Sequence, residues 1–234
     1  MKNKPLAGLA ILASLSVSSS SFGALILGTT IESATVGLNG DMGPEKAING
    51  VGLPGGVPSL TGSHDENFDS NWWTGWDGAV TEWQLTVDLE GSYDLDTVHI
   101  WNYRENCCAG RGLSTVTIYV ASNENELNLI KLTTNGTGLH DDGLGNFLFP
   151  QAPTGGDYFG FDLDLSGVTN SSLLDNARLF RIDGGSNLWN PGNEIHGGLA
   201  EIQFGGAPAI PEPATTGLAF FGLLSLMARR RRKA

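Results

Sequence analysis

The body of the chain, roughly residues 24–206, is predicted to be an all-β sandwich, and three observations indicate this fold class. Apolar and polar residues alternate with a period of two in several runs, whereas the 3.6-residue period of helices is nearly absent. Gly, Asn, Asp and Pro separate these runs, as in domains built from short strands. Seven or eight such runs fit into about 180 residues, which suits one domain of two packed sheets.

The chain begins with the pattern of a secretory signal peptide, over residues 1–23. Lys2 and Lys4 precede an apolar stretch at residues 6–17 and a serine-rich segment. The apolar stretch predicts a signal helix, and the small residues after it indicate cleavage after Gly23, with cleavage after Ala24 as the rival. The rest of the chain is therefore expected outside the cytoplasm.

The strand predictions follow the alternation along the chain. Residues 83–89 place Trp83, Leu85, Val87 and Leu89 on one face and polar residues on the other, which predicts a half-buried strand. Alternation or short apolar runs recur in five further segments: 98–103, 115–120, 159–165, 179–182 and 199–204. One short helix is predicted around residues 171–177. The whole pattern favours an antiparallel sandwich.

The body carries a strong net negative charge. The chain has 13 Lys and Arg residues and 25 Asp and Glu residues. Seven of the basic residues lie in the two ends, 1–23 and 207–234, against a single acidic residue, Glu212, so six basic and 24 acidic residues remain and the body has a net charge of −18. Such a surface repels phosphate backbones, so we expect no nucleic-acid partner.

The only two cysteines, Cys107 and Cys108, are neighbours in the sequence. Adjacent thiols cannot cross-link distant parts of a fold, so the chain is not a disulfide-framework protein. In an oxidising compartment a vicinal disulfide, a bond to another chain and two free thiols all stay open. A zinc site is not expected, because no second Cys or His pair lies at zinc-binding spacing.

The last 28 residues, 207–234, form a segment of their own. Pro211, Glu212 and Pro213 are followed by fifteen uncharged residues at 214–228 and by five basic residues at 229–233. This order resembles the bacterial PEP-CTERM sorting signal. As a helix the apolar run extends roughly 22 Å at about 1.5 Å per residue, short of a hydrocarbon core of about 30 Å, so it suits a transient anchor. A permanent anchor that is never cut is the alternative.

The resemblance to a sorting signal implies a location and a partner. An exosortase, a membrane-embedded processing enzyme, is expected to recognise residues 211–213 and to cut near them. Before that step the C-terminal helix would hold the protein in the inner membrane of a Gram-negative bacterium, with the basic end on the cytoplasmic side. Afterwards the body is expected at the cell surface or in the extracellular matrix.

Four segments of the body follow one another in a recognisable order: 46–50, 82–89, 98–103 with Arg111 and Gly112 after it, and 198–204. Together they resemble the discoidin or coagulation-factor type C family, also called galactose-binding-like domains, over about residues 30–205. The resemblance implies an eight-stranded antiparallel jelly roll. It also implies a structural Ca²⁺ held by side-chain oxygens of Asn49 and Glu201 with nearby backbone carbonyls. Asn49 departs from the usual Asp, which removes one charge, and Glu201 as a solvated strand carboxylate is the alternative.

Family members bind ligands in loops at one end of the sandwich, and two tryptophan-containing loops are candidates here. One holds Trp72, Trp73 and Trp76, and the other holds Trp189 and Asn190. Sugar rings stack on indoles, and their hydroxyl groups need amide, acidic or guanidinium partners. The alternative for Trp72 and Trp73 is that at least one fills the core. A second group of candidates, Asn102, Tyr103 and Arg111, follows a predicted strand, and here the alternative is a structural role, with Arg111 paired to an acid such as Glu105.

The sequence therefore predicts an exported, non-catalytic module that binds carbohydrate, such as an extracellular polysaccharide. No His has a Ser or Cys partner at a catalytic spacing, and pairs such as Asp141 and Asp142 lie in glycine-rich turns, so we do not expect an enzyme. A structural protein of the matrix or envelope, which contacts other proteins and has no small ligand, is the alternative.

Overall fold

The fold is an antiparallel β-sandwich built from ten described strands. The computed structural model describes residues 23–35, 42–74, 83–187 and 197–209. The strands are β1 (Ala24–Leu25), β2 (Thr30–Ala34), β3 (Trp72–Trp73), β4 (Trp83–Asn102), β5 (Leu113–Ala121), β6 (Ile130–Lys131), β7 (Phe147–Leu148), β8 (Phe161–Asp162), β9 (Ala177–Asn187) and β10 (Gly198–Pro208). Short 3₁₀ turns lie at Pro44–Ala47, Phe68–Ser70, Ala109–Arg111, Glu126–Asn128 and Ser171–Leu173. The predicted all-β sandwich is confirmed.

The long strand β4 belongs to both layers of the sandwich. Its first part pairs with β2 and β9, and its second part pairs with β10 and β8. The strands β5, β6 and β7 continue the first layer, and β1 and β3 join the second through β10. Between the two parts, Glu90 has a φ of 58°, in the left-handed region that few non-glycine residues adopt. The Glu90 amide donates to the Asp88 carboxylate at 2.7 Å, which fixes this bend.

The core lies between the layers and follows the alternation in the sequence. Leu85, Leu89, Val116 and Ile118 are fully buried and belong to one cluster, as the period-two pattern predicts. The second part of β4 differs, because both of its faces are covered. Trp101 packs outside the main core with a small cluster from the surrounding loops: Leu53, Ala109, Ala152, Tyr158 and Ala200. Long connections therefore act as a second cover over this strand.

Two predicted elements are shorter than expected. The strand predicted at 159–165 is reduced to β8, with two residues, in a segment where Gly160 adopts a φ of 67°. The helix predicted around 171–177 is a single 3₁₀ turn at Ser171–Leu173. It ends early because Asn176 has a φ of 70°, which no right-handed helix accommodates, and β9 begins at Ala177.

The two ends of the body lie side by side. Ala24 and Leu25 of β1 pair with Gly206 and Gly205 of β10, and the amide of Ala209 still donates to Ser92 at 2.9 Å. Both predicted signal-peptide cleavage positions thus lie at β1. The predicted signal helix and the C-terminal helix fall almost wholly outside the described residues. Within the described ranges, no helix has the length and apolar character needed to cross a membrane.

Candidate functional site

One end of the sandwich gathers the attachment points of the two tryptophan-containing loops. The Thr74 amide donates to the Gly197 carbonyl at 3.1 Å, and the Gly197 amide donates to Thr74 Oγ1 at 3.1 Å. The indole of Trp83 also donates to the Gly197 carbonyl, at 3.1 Å. Trp76, Trp189 and Asn190 lie outside the described residues. Their segments, 75–82 and 188–196, are nevertheless joined to the sandwich at neighbouring points.

A layered group of side chains, here called the Arg111 cluster, lies at the same end and consists of Trp73, Tyr103, Glu105 and Arg111. The guanidinium carbon of Arg111 lies 4.4 Å from the ring centre of Trp73. Arg111 donates to Glu105 Oε2 at 2.7 Å, and the Tyr103 hydroxyl donates to the same oxygen at 2.9 Å. The Arg111 and Glu105 side chains are 19% and 18% exposed, so this charge pair reaches the surface.

The chemistry of the Arg111 cluster is set by burial and by charge pairing. Burial raises the pKa of Tyr103 far above its ordinary value, so its hydroxyl stays a hydrogen-bond donor at neutral pH. The pairing of Arg111 with Glu105 that the sequence predicts is present. At the edge of the cluster, the structure joins Cys107 and Cys108 as a vicinal disulfide, with Cys107 exposed. Bonded sulfurs have no thiolate to offer a metal, although Glu105 lies beside them.

Three of the predicted ligand-binding side chains are instead part of the interior. Trp72 is fully buried and packs on Trp83, with ring centres 4.4 Å apart. Trp73 is 3% exposed beneath Arg111, so the core alternative left open by the sequence describes both tryptophans. Asn102 and the Tyr103 ring are also fully buried. In this structure the surface available to a ligand comes from Arg111 and Glu105 and not from these side chains.

Asn102 ties several backbone groups together below the cluster. Its amide nitrogen donates to the carbonyls of Leu113 and Pro150 at 2.8 and 2.9 Å. Its side-chain oxygen accepts from the amides of Tyr103 and Leu113 at 2.9 and 3.0 Å. Every hydrogen-bonding position of this side chain is therefore used for backbone groups. Asn102 positions the loop that carries Arg111.

The two predicted metal ligands lie on neighbouring parts of the fold but differ in what they offer. Glu201 is fully buried, and burial raises its pKa to about 8. Both of its carboxylate oxygens already accept hydrogen bonds, from the Gly50 amide at 2.9 Å and from Gln203 Nε2 at 2.5 Å. Asn49 is exposed, and its side-chain oxygen accepts from the Val51 amide at 2.9 Å. As they stand these residues do not fit a cation, and bound calcium stays a prediction.

The sequence reasoning missed a buried arginine that supports this end of the sandwich. Arg104 is 1% exposed and donates to the carbonyls of His64 and Gly156 and, at 3.0 Å, to Glu66. It thereby connects the end of β4 to two loops. Arg104 follows a strand that the sequence predicts, but nothing in the sequence distinguishes a buried arginine there from an exposed one. The signal that existed was its rarity, since the body has only six basic residues.

Comparison with known proteins identifies the C-terminal segment and gives distant likenesses for the fold. A family model described as the PEP-CTERM protein-sorting motif matches residues 209–232. No curated protein is detectably similar to the chain. The first solved structures that match are family 89 glycoside hydrolases from Clostridium perfringens, of which the chain spans only 16–19%.

Two isolated domains match over nearly their full lengths. One is an F5/8 type C domain from Bacteroides fragilis, with 14% identity and a TM-score of 0.47, covering 81% of this chain and 99% of that one. The other is the CBM32-3 domain of a family 31 glycoside hydrolase from Clostridium perfringens, with 16% identity and a TM-score of 0.47, covering 79% and 95%. The chain carries a PEP-CTERM sorting motif behind an antiparallel β-sandwich.

Proposed function

We propose that this protein is an exported, non-catalytic module that binds carbohydrate at the end of the sandwich formed by the Arg111 cluster and the two tryptophan-containing loops. The observation that carries the proposal is the partly exposed pair of Arg111 and Glu105. A guanidinium donates to sugar hydroxyls, and a carboxylate accepts from them. Indoles from Trp76 and Trp189, whose segments attach at this end, supply the apolar faces on which sugar rings stack.

The direction of β10 supports a role at the cell surface. β10 begins at Gly198, beside the candidate site, and runs to Pro208, about 35 Å away at about 3.3 Å per residue. The sorting segment therefore leaves from the opposite end of the sandwich. With exosortase acting near Pro211, Glu212 and Pro213, and a transient anchor in the inner membrane, the binding end faces away from the point of attachment.

The charge of the body favours a neutral glycan over an acidic one. With 24 acidic and six basic residues, the domain repels polyanions over distances within a Debye length of about 8 Å at physiological salt. The acidic pair Asp141 and Asp142 accepts hydrogen bonds within its own turn, from Gly138 and Leu144 among others. These carboxylates stabilise a loop, which supports a binding role without catalysis.

Affinity electrophoresis in gels that contain neutral or acidic polysaccharides tests the proposal. We expect neutral polymers to retard the full-length protein, and expect Trp76→Ala and Trp189→Ala to weaken retention at least about tenfold, because a stacked aromatic is worth roughly 2 kcal/mol. Arg111→Gln is expected to act in the same direction. Tyr93→Ala, which removes a half-buried aromatic ring at the other end of the sandwich, and Arg178→Gln serve as matched controls.

Two results would contradict the proposal. One is the absence of retention by every polysaccharide tested. The other is retention that the two tryptophan variants leave unchanged. If gene deletion then weakened the cohesion of the extracellular matrix while the purified protein bound no glycan, the alternative of a structural matrix protein would replace it.

A further inference from the structure

The buried side chain of Gln203 connects β10 to the loop after the first 3₁₀ turn. Its amide nitrogen donates to the main-chain carbonyl of Ile48 at 3.0 Å and to Glu201 Oε1 at 2.5 Å. Gln203 is 2% exposed, and Glu201 is fully buried. The second oxygen of Glu201 accepts from the Gly50 amide at 2.9 Å. The loop at residues 48–50 is thus attached to β10 through one amide and one carboxylate.

The orientation of this amide follows from its partners. A main-chain carbonyl and a carboxylate both accept hydrogen bonds, so the atom between them must be the NH₂ group and not the amide oxygen. A backbone carbonyl and a carboxylate oxygen are also typical ligands of a hard cation such as Ca²⁺. The Gln203 nitrogen therefore lies at the point on which two potential metal ligands converge. Its two hydrogens satisfy both oxygens without a metal.

We propose that the amide of Gln203 takes the place of a structural cation in this protein, so that the loop at 48–50 is held on β10 without calcium. The donor set agrees, because Glu201 is the only acidic side chain hydrogen-bonded in this arrangement and Asn49 turns its oxygen to its own loop. One carboxylate and a neutral amide leave the site with a smaller negative charge than calcium sites require for tight binding.

Access to the position is not what would keep a cation out. A surface cleft of about 310 Å³ lies beside it and is lined by Ile48, Asn49, Glu45 and Gln203, among others. A hydrated ion from the solvent can enter a cleft of this size. If the amide were replaced by an oxygen ligand, calcium would therefore be able to reach Glu201 and the Ile48 carbonyl.

Thermal unfolding of the full-length protein, in excess EGTA and in millimolar calcium chloride, tests the inference. We expect the Tm of the parent protein to be the same in both. In Gln203→Glu, the new carboxylate repels Glu201 and leaves the Ile48 carbonyl without a donor, so its Tm in EGTA is expected to fall. Calcium is expected to raise that Tm by about 5–10 °C once it exceeds the dissociation constant about 100-fold. Gln84→Glu, the same change where the side chain contacts Arg181, is the matched control and is expected to show no response to calcium.

A calcium-dependent rise in the Tm of the parent protein would overturn the inference. So would a folded Gln203→Glu variant with the same Tm in EGTA and in calcium, because the position would then not accept a cation. Folding of this variant only in calcium would support it. If the variant folds in neither buffer, Gln203→Ala decides by the same criterion, since it removes the amide and leaves both oxygens facing the vacated space. None of these results depends on carbohydrate binding.

Discussion

Replacing Asn102 with alanine is expected to destabilise the protein more than almost any other single change at the candidate site. The substitution removes two donors and two acceptors at once, and the four backbone partners, in Tyr103, Leu113 and Pro150, are left without them. At about 1 kcal/mol for each hydrogen bond, and up to about 3 kcal/mol for a buried group left unpaired, the free energy of unfolding should fall by about 4 kcal/mol. This is a large share of the stability of a typical domain, about 5–15 kcal/mol.

Urea unfolding followed by tryptophan fluorescence measures this loss, because Trp72, Trp83 and Trp101 are fully buried. We expect the midpoint to fall while the slope of the transition stays the same, since the same surface is exposed on unfolding. Asn128→Ala is the control, as Asn128 is exposed and bonds only to the neighbouring Asn123 and within its own turn, so its effect should stay within about 0.5 kcal/mol. A loss below about 1.5 kcal/mol for Asn102→Ala, together with reduced glycan retention by the folded variant, would refute the structural role and restore a ligand-binding one.

Three further predictions concern other parts of the chain. Burial, and to a smaller extent Arg104, lower the pKa of His64, so below pH 6.5 the unfolded chain binds a proton that the folded protein does not; urea unfolding should show stability falling as pH drops through this window, and less steeply in His64→Gln, whereas equal slopes would contradict the assignment. Arg104→Met leaves Glu66 and two carbonyls without their partner and should cost about 3 kcal/mol, against less than about 1 kcal/mol for Arg178→Met, whose ion pairs are more exposed; similar losses would show that burial of Arg104 is not decisive. Replacing Pro211 with alanine should leave the protein unprocessed and attached to the membrane fraction, and a shortened, released product from that variant would show that the motif is not read.

The sequence was sufficient for the main layers and insufficient for what covers them. Alternation predicted β4 and β5 and the burial of residues such as Leu85 and Ile118, because period two assigns side chains to faces. It could not reveal that His99 and Trp101, on the other face, are buried too, since that depends on loops distant in the chain. Asn102 and Arg104 were ambiguous for the same reason: a polar residue after a strand has the same appearance whether loops cover it or solvent does.

The metal prediction illustrates a signal that was present but unused. Glu201 and Gln203 are two residues apart in a strand, so their side chains lie on the same face and are neighbours. The family resemblance drew attention to the carboxylate alone. Considered together, an acid and an amide on one buried face indicate a hydrogen-bonded pair as readily as a ligand set. Only the placement of the Ile48 carbonyl decides between them, and that contact spans 155 residues of sequence.

The position at which β10 ends limits how this protein can be handed to its processing enzyme. The strand continues to Pro208, and Ala209 is still hydrogen-bonded to Ser92, so a single residue, at position 210, separates the ordered sheet from Pro211. At about 3.3–3.6 Å per residue, the tether is only a few ångströms long. A membrane-embedded protease must therefore either accept the folded sandwich pressed against its entrance or act after the last residues of the strand have peeled away. Lengthening this spacer with a few glycines would distinguish the two, since faster cutting means that the folded body is the obstacle.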